Sequence, residues 1–292
     1  MGKKNGYNNV FIGFPEKGNY SRYKNDNIFQ ILEEIGKFYE FLSTSDATTT
    51  VSVAKGPINY NTDIFSSLFN TLDSIKQLLA LGRINDAFSL IRKYNDAVII
   101  HIYSLIVSED EERLFFDDNH SLYNNIVNGW VNGKACLIEK GDYESKEKAY
   151  LSVIKGKDLA LKRLLFNKQA QVVYGQKRSI GDDNIHYNNW NTFRLNNSQI
   201  MDYPISLSLL SEAYDTIRLL FVIHFSYLIL LKPMVMLSCN YICELEEGLV
   251  PDEETKNYAA SIVCDMFEKY IGTFDKELAG YLCNCNFLEI RY

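Results

Sequence analysis

The chain has 292 residues, of which 47% are hydrophobic and 13% aromatic, and this composition excludes a globally disordered protein. Its formal net charge of −7 at pH 7 argues against a protein that coats nucleic acid over its whole surface. With only five prolines, long helices can run without interruption.

The first 25 residues are rich in Gly, Asn, Lys and Tyr and lack helical periodicity, so we predict an irregular N-terminal arm. Residues 26–292 are predicted to form a single all-α domain, because no Gly/Ser-rich or Pro-rich linker divides them. The start of the chain lacks an apolar segment of the signal-peptide type, and a cytoplasmic location is expected.

Helical periodicity begins with NDNIFQILEEIGKFYEFLST, where Asn or Asp can cap a helix with one apolar face. STSDATTTVSVAKGPINYN is predicted to break this helix as a short strand or an extended loop. A second helix is predicted over NTDIFSSLFNTLDSIKQLLALG, capped by Asn61 or Thr62 and ended by Gly82. A third helix, from residue 83 to about 107, would complete an antiparallel hairpin with the second.

The most apolar run, residues 219–231, is shorter than the roughly 20 residues that a membrane span needs, and Lys232-Pro233 ends it. We predict a buried central helix here, with peripheral membrane association through residues 219–237 as the weaker alternative. PDEETKNYAASIVCDMFEKYIG predicts a helix with Pro251 at its start. A short final helix is expected from about residue 273 to residue 285.

The six cysteines do not have the spacing of a zinc site, since Cys239 and Cys243 are four residues apart and one residue separates Cys283 from Cys285. Buried free thiols are the prediction, and convergence of four C-terminal thiols on a metal is the alternative. The familiar nucleotide, hydrolase and metalloprotease motifs are absent from the sequence, and no metal or cofactor is predicted.

A basic segment lies between residues 146 and 178, where nine Lys and Arg residues accompany two acidic ones. It is interpreted either as a solvated helix face or as a local phosphate-binding surface. The candidate nucleic-acid-binding residues are Lys155, Lys157, Lys162, Arg163, Lys168, Lys177 and Arg178.

The third predicted helix carries Arg92 and Asp96 one turn apart, at the edge of its apolar stripe. Acid before base is the more favourable order at this spacing, so the pair is predicted to serve more than local helix support. In one interpretation, Arg92 and Asp96 bind a polar group that another segment of the chain brings to them. The other is a partly buried pair that fixes helix packing.

His186 and Asn188 lie in the polar stretch IHYNNWN, just after the basic segment. A histidine there could act as an acid or base near neutral pH while asparagine positions a phosphate or ribose. Alternatively, His186 caps a helix and bonds to the region around Arg92 and Asp96.

Three elements together resemble a family of uncharacterised helical bacterial proteins, and more broadly the HEPN-like proteins of bacterial conflict systems. They are Arg92-Lys93-x-x-Asp96, the HxN element formed by His186 and Asn188, and the segment from Ser238 to Cys243 followed by Gly248 and Pro251. Asn240 stands where the family pattern has Asp.

The resemblance implies a HEPN-like bundle that self-associates and acts in a bacterial defence or toxin–antitoxin system. Under an enzyme hypothesis of metal-independent RNA cleavage, His186 is the general acid/base and Arg92 stabilises the phosphorane charge. Asp96 would orient either residue, and Asn188 would bind phosphate or sugar. The competing hypothesis is a non-catalytic interaction protein of a defence complex, in which the polar cluster is a buried network closed to solvent.

Arg218 and His224 match the loose R-x(4–6)-H pattern of HEPN ribonucleases. Leu219 stands where a polar residue usually follows the arginine, and six positions along a helix place the two side chains on different faces. The match is interpreted as chance. His101 and His120 belong to no recognisable pattern.

Overall fold

A computed structural model describes residues 23–50, 60–110, 195–196, 207–249 and 258–285, together with residues 288 and 290. These residues are mainly helical, and within them the antiparallel bridge between Leu237 and Ala259 is the only β-type pairing. The all-α class is therefore confirmed for the described part of the chain. Its α-helices are α1 (Asn27–Thr50), α2 (Tyr60–Ala80), α3 (Ile84–Asp110), α4 (Leu207–Leu231), α5 (Cys239–Glu246), α6 (Ser261–Met266) and α7 (Lys276–Cys285).

Helix α1 begins at a side-chain cap, where Asp26 Oδ1 accepts a hydrogen bond from a backbone N–H of the first turn. Its predicted apolar positions are all buried: Ile28, Ile31, Leu32, Ile35, Phe38 and Leu42. The helix continues to Thr50, so the predicted break over residues 43–50 is wrong. The Thr44 hydroxyl donates to carbonyls of the preceding turn, and it therefore does not compete with the helical backbone.

Helices α2 and α3 form the predicted hairpin. Gly82 follows the end of α2 with a φ of 71°, a left-handed conformation that glycine adopts without steric cost. The backbone N–H of Arg83 donates to the carbonyl of Leu78 at 2.8 Å and closes the turn. The predictions of the hairpin and of its terminating glycine are confirmed.

Helix α1 lies antiparallel to α2. Near one end the hydroxyls of Ser43 and Ser66 are 2.7 Å apart, and beyond the other end the Tyr23 hydroxyl donates to the carbonyl of Leu79 at 2.8 Å. Buried side chains of all seven helices belong to one apolar core.

Helix α4 is central, because every side chain over residues 219–229 is buried. The rings of Phe221 and Phe225 meet Phe38 of α1 edge-on. By length and composition α4 could cross a membrane, and 72% of its most apolar 18-residue window is buried inside the protein. The predicted central buried helix is confirmed, and a 3-10 helix, Pro233–Met236, follows it.

The C-terminal segment departs from the prediction of one helix starting at Pro251. Residues 258–260 are not helical, and α6 begins only at Ser261. A π-helix, Phe267–Gly272, continues α6. Within it Lys269 Nζ lies 2.6 Å and the Tyr270 hydroxyl 2.5 Å from the carboxylate of Glu34, so these contacts hold the segment against α1.

The predicted arm, except for residues 23–25, and the basic segment 146–178 lie outside the described residues. The boundaries of a single domain over residues 26–292 stay a prediction.

Candidate functional site

Five polar side chains from the four long helices meet in the buried core of the bundle. They come from α1 (Tyr39), α2 (Asn61), α3 (Tyr94 and His101) and α4 (His224), and none is more than 1% exposed. Polar groups at such depth are tolerated when they bond to one another.

Helix periodicity explains how two of these side chains come to the centre. Tyr94 and His101 are seven residues apart, which is two turns, so they share the face of α3 that also buries Val98 and Leu105. His224 lies in a stretch of α4 that is buried on all sides. Asn61, predicted as a possible cap of α2, is instead a buried residue of its first turn.

The five side chains form one continuous chain of hydrogen bonds. The hydroxyls of Tyr94 and Tyr39 are 3.0 Å apart, and the Tyr39 hydroxyl lies 2.7 Å from Nδ1 of His224. Nε2 of His224 is 2.9 Å from Nδ1 of His101, and Nε2 of His101 is 2.9 Å from Oδ1 of Asn61. We call these five residues the central network.

The acceptor at one end assigns a direction to the whole network. Oδ1 of Asn61 can only accept, so His101 carries its proton on Nε2. A neutral imidazole has one N–H, hence Nδ1 of His101 accepts from Nε2–H of His224. Nδ1 of His224 then accepts from the hydroxyl of Tyr39, which accepts in turn from Tyr94. With this orientation of the Asn61 amide, both histidines are Nε2–H tautomers.

Burial keeps the network uncharged. It lowers the pKa of His101 to about 3, with a smaller contribution from the positive charge of Lys232. Burial and then the neighbouring His101 lower the pKa of His224 well below its usual range. For Tyr39 and Tyr94 burial raises the pKa above its usual value. All four groups are therefore neutral at pH 7.

Aromatic rings close the network off from solvent. Phe65 packs edge-on against His101 with ring centres 5.2 Å apart, and Phe221 packs edge-on against Tyr39 at 6.1 Å. A neutral imidazole whose two nitrogens are both bonded inside such a shell cannot exchange a proton with an external substrate. Among the described residues, no three His, Cys, Asp or Glu side chains are grouped to hold a metal. The central network is thus built to hold helices together.

Arg92 and Asp96, the predicted catalytic pair on α3, contact each other. Nε of Arg92 lies 3.0 Å from both carboxylate oxygens of Asp96, and the side chains are 13% and 35% exposed. This geometry agrees with the interpretation of a partly buried packing pair. His186 and Asn188 lie outside the described residues, so their convergence with the pair stays a prediction.

One described contact ties the asparagine-rich segment to α3. Nδ2 of Asn196 donates to Oδ1 of Asp86 at 2.8 Å, and Oδ1 of Asn196 accepts from the Asp86 backbone N–H at 3.3 Å. The ten residues that follow His186, up to Asn196, can span up to about 33 Å when extended. The contact therefore allows His186 to reach Arg92 without defining its position. The seven candidate nucleic-acid-binding residues lie outside the described part.

Arg218 and His224 point to different faces of α4, as predicted. Arg218 donates to the Thr273 hydroxyl at 2.8 Å and lies over the ring of Phe274, whereas His224 is buried. This geometry agrees with the prediction that Arg218 and His224 do not act together. The places of His224 and His101 in the central network were not predicted from the sequence. The seven-residue spacing of Tyr94 and His101 indicates a shared face of α3, and it is the sequence feature that could have predicted their part of the network.

The cysteines correct another prediction. Cys239 and Cys243 are exposed, not buried, while Cys264 and Cys283 are half-buried free thiols. Burial raises the pKa of both half-buried thiols, with the charge of Asp265 adding to the effect at Cys264.

No protein-family model, no curated protein and no solved structure matches this chain. The likeness to HEPN-like proteins therefore rests on the residues quoted above and stays a prediction.

Proposed function

We propose that this chain is a non-catalytic interaction protein, built on a HEPN-like bundle and acting as a subunit of a bacterial defence complex. One observation carries the proposal. The central network, which contains both described histidines, is neutral, bonded within itself and closed to solvent. The condition that separates the two hypotheses is solvent access at Arg92 and His186, and His186 lies outside the described residues. The closure of the central network supports the non-catalytic proposal, because both described histidines are committed to hydrogen bonds inside the bundle.

The energetics of the network suit a rigid binding surface. A buried hydrogen bond contributes about 1 kcal/mol net, and leaving one of its partners unpaired costs about 1–3 kcal/mol. Because the four bonds join α1, α2, α3 and α4, displacing any one of these helices leaves buried groups unpaired. A bundle held in one arrangement binds a partner with little loss of conformational entropy.

Arg92 supports the same proposal. A phosphate-binding arginine must offer its guanidinium to substrate, and this side chain is only 13% exposed. Its contact with Asp96 through Nε fits a packing pair on α3, and it is also the contact that would orient Arg92 in a nuclease.

A second candidate, metal-independent RNA cleavage, is favoured by the contact between Asn196 and Asp86. That contact anchors on α3 the segment that carries His186 and Asn188. In this candidate His186 is the general acid/base, Arg92 stabilises the phosphorane, and the basic segment 146–178 attracts the RNA.

A single-turnover RNA cleavage assay separates the two candidates. The protein is incubated in excess over end-labelled single-stranded RNA with EDTA, as wild type, as His186→Ala and as His120→Ala, the matched histidine control. We expect no cleavage by any of the three. Cleavage that is lost in His186→Ala and kept in His120→Ala would replace the proposal by the nuclease. Light scattering on the same samples tests self-association, for which we expect a mass of at least two chains.

A further inference from the structure

Helix α5 presents two thiols on its surface. Cys239 and Cys243 are both exposed and lie four residues apart on one helix, so their Cβ atoms are about 5–6 Å apart on the same face. Tyr241, midway between them, points the opposite way, since it is buried and packs on Tyr258 with ring centres 4.4 Å apart. The Ser238 hydroxyl accepts from the Tyr241 N–H and caps the helix.

This spacing disfavours a disulfide and allows a bridging ion. A disulfide needs Cβ atoms about 3.5–4.5 Å apart, which an intact helix does not provide at this separation. A metal–thiolate bond is about 2.3 Å long, so two thiolates on opposite sides of one ion have sulfurs about 4.6 Å apart. Rotation about χ1 of each cysteine reaches that distance with the helix unchanged.

We propose that Cys239 and Cys243 bind one copper(I) ion between their two thiolates. Thiolate is a soft ligand that selects copper(I), and this ion is satisfied by two such ligands. Zinc would need four ligands, and the described residues add no third Cys, His, Asp or Glu to the pair. The site goes beyond the proposed function and does not depend on it.

An anaerobic competition titration tests the site. Reduced full-length protein is mixed with the coloured complex of copper(I) and bathocuproine disulfonate, and the loss of colour reports transfer to the protein. We expect the wild type to take one equivalent. Cys239→Ser and Cys243→Ser should each weaken binding by more than about 100-fold, because each removes one of two ligands. Cys264→Ser, at a half-buried thiol, should bind like wild type.

Two results would overturn the site: a wild type that takes no copper, or binding that survives in both Cys239→Ser and Cys243→Ser. Loss of binding in Cys264→Ser would also overturn it, because the ion would then need a thiol outside α5. Far-UV circular dichroism of each variant confirms that the fold is retained, which two exposed substitutions should allow.

Discussion

Mild acid is expected to destabilise this protein through the histidines of the central network. In the folded chain burial holds the pKa of His101 at about 3 and that of His224 well below its usual range, whereas both recover about 6.5 on unfolding. The unfolded chain therefore binds protons below pH 6.5 that the folded chain does not. The contribution is fully present above that pH and is lost as the pH falls towards the folded value.

The size of the effect between pH 7 and pH 5 is set mainly by the unfolded state, because both imidazoles stay neutral in the folded protein at either pH. Each histidine then lowers the free energy of unfolding by about 2 kcal/mol, and the pair by about 4 kcal/mol. That is a large part of the roughly 5–15 kcal/mol by which domains are stable. The partners of the pair, Tyr39 and Asn61, are neutral, and Lys232 is positive, so these groups do not stabilise an imidazolium.

Urea unfolding followed by circular dichroism at pH 7, 6 and 5 measures this loss. Among the described residues, the carboxylates with lowered pKa values, Glu33 and Glu34, contribute little over the same range, because carboxylates of the unfolded chain titrate mainly below pH 5. Glu33, for example, has its pKa lowered to about 2 by hydrogen bonds from Lys37 and Lys76, so its contribution disappears only below about pH 5. The matched control is His101→Gln combined with His224→Gln, which is less stable at pH 7 but should lose about 4 kcal/mol less on acidification.

Equal pH dependence of the wild type and this double variant would refute the reasoning. So would imidazole NMR signals of His101 or His224 that titrate near pH 6.5 in the folded protein. Nitrogen chemical shifts provide an independent test, since the direction of the central network requires the Nε2–H tautomer at both residues.

Four substitutions are expected to have smaller effects on the free energy of unfolding, each measured in urea at pH 7. Tyr39→Phe should cost about 1–3 kcal/mol, because it leaves a buried imidazole nitrogen without its donor; Tyr94→Phe removes only the terminal donor and should cost about 0.5–1.5 kcal/mol. Equal costs would contradict this order. Gly82→Ala should cost about 1–2 kcal/mol because of its φ of 71°, and no loss would argue against the left-handed turn. Asp96→Asn should cost no more than about 1 kcal/mol, because its ion pair with Arg92 is partly exposed; a larger loss would assign the carboxylate another role.

Elements whose signals are local could be predicted from the sequence. The buried face of α1, the termination of α2 at Gly82 and the burial of α4 follow from apolar spacing and from one residue's backbone freedom. Two predictions were wrong, the break over residues 43–50 and the helix starting at Pro251. Both depend on contacts that the spacing of apolar residues does not reveal. The Thr44 hydroxyl bonds to its own helix, and Ala259 pairs with Leu237 across an intervening helix, which delays the start of α6.

The central network could be predicted only in part. The two-turn spacing of Tyr94 and His101 indicates a shared buried face, but the groups that meet it come from α1 and α4, and their alignment is a property of helix packing. Of the two interpretations of Arg92, one gave it a partner on another segment because base before acid is the weaker order, and the other a packing pair with Asp96. That preference amounts to a few tenths of a kcal/mol, and it did not prevent the contact with Asp96.

The path of hydrogen bonds leaves α3 at Tyr94, crosses α1 and α4, and returns to α3 at His101. Sliding α4 by one turn, about 5.4 Å, would remove His224 from both of its neighbours at once. The hydrogen bonds of the central network can therefore all form in only one alignment of these helices along their axes. We expect motions that keep this network intact to bend or splay the parts of α1, α3 and α4 that lie away from it.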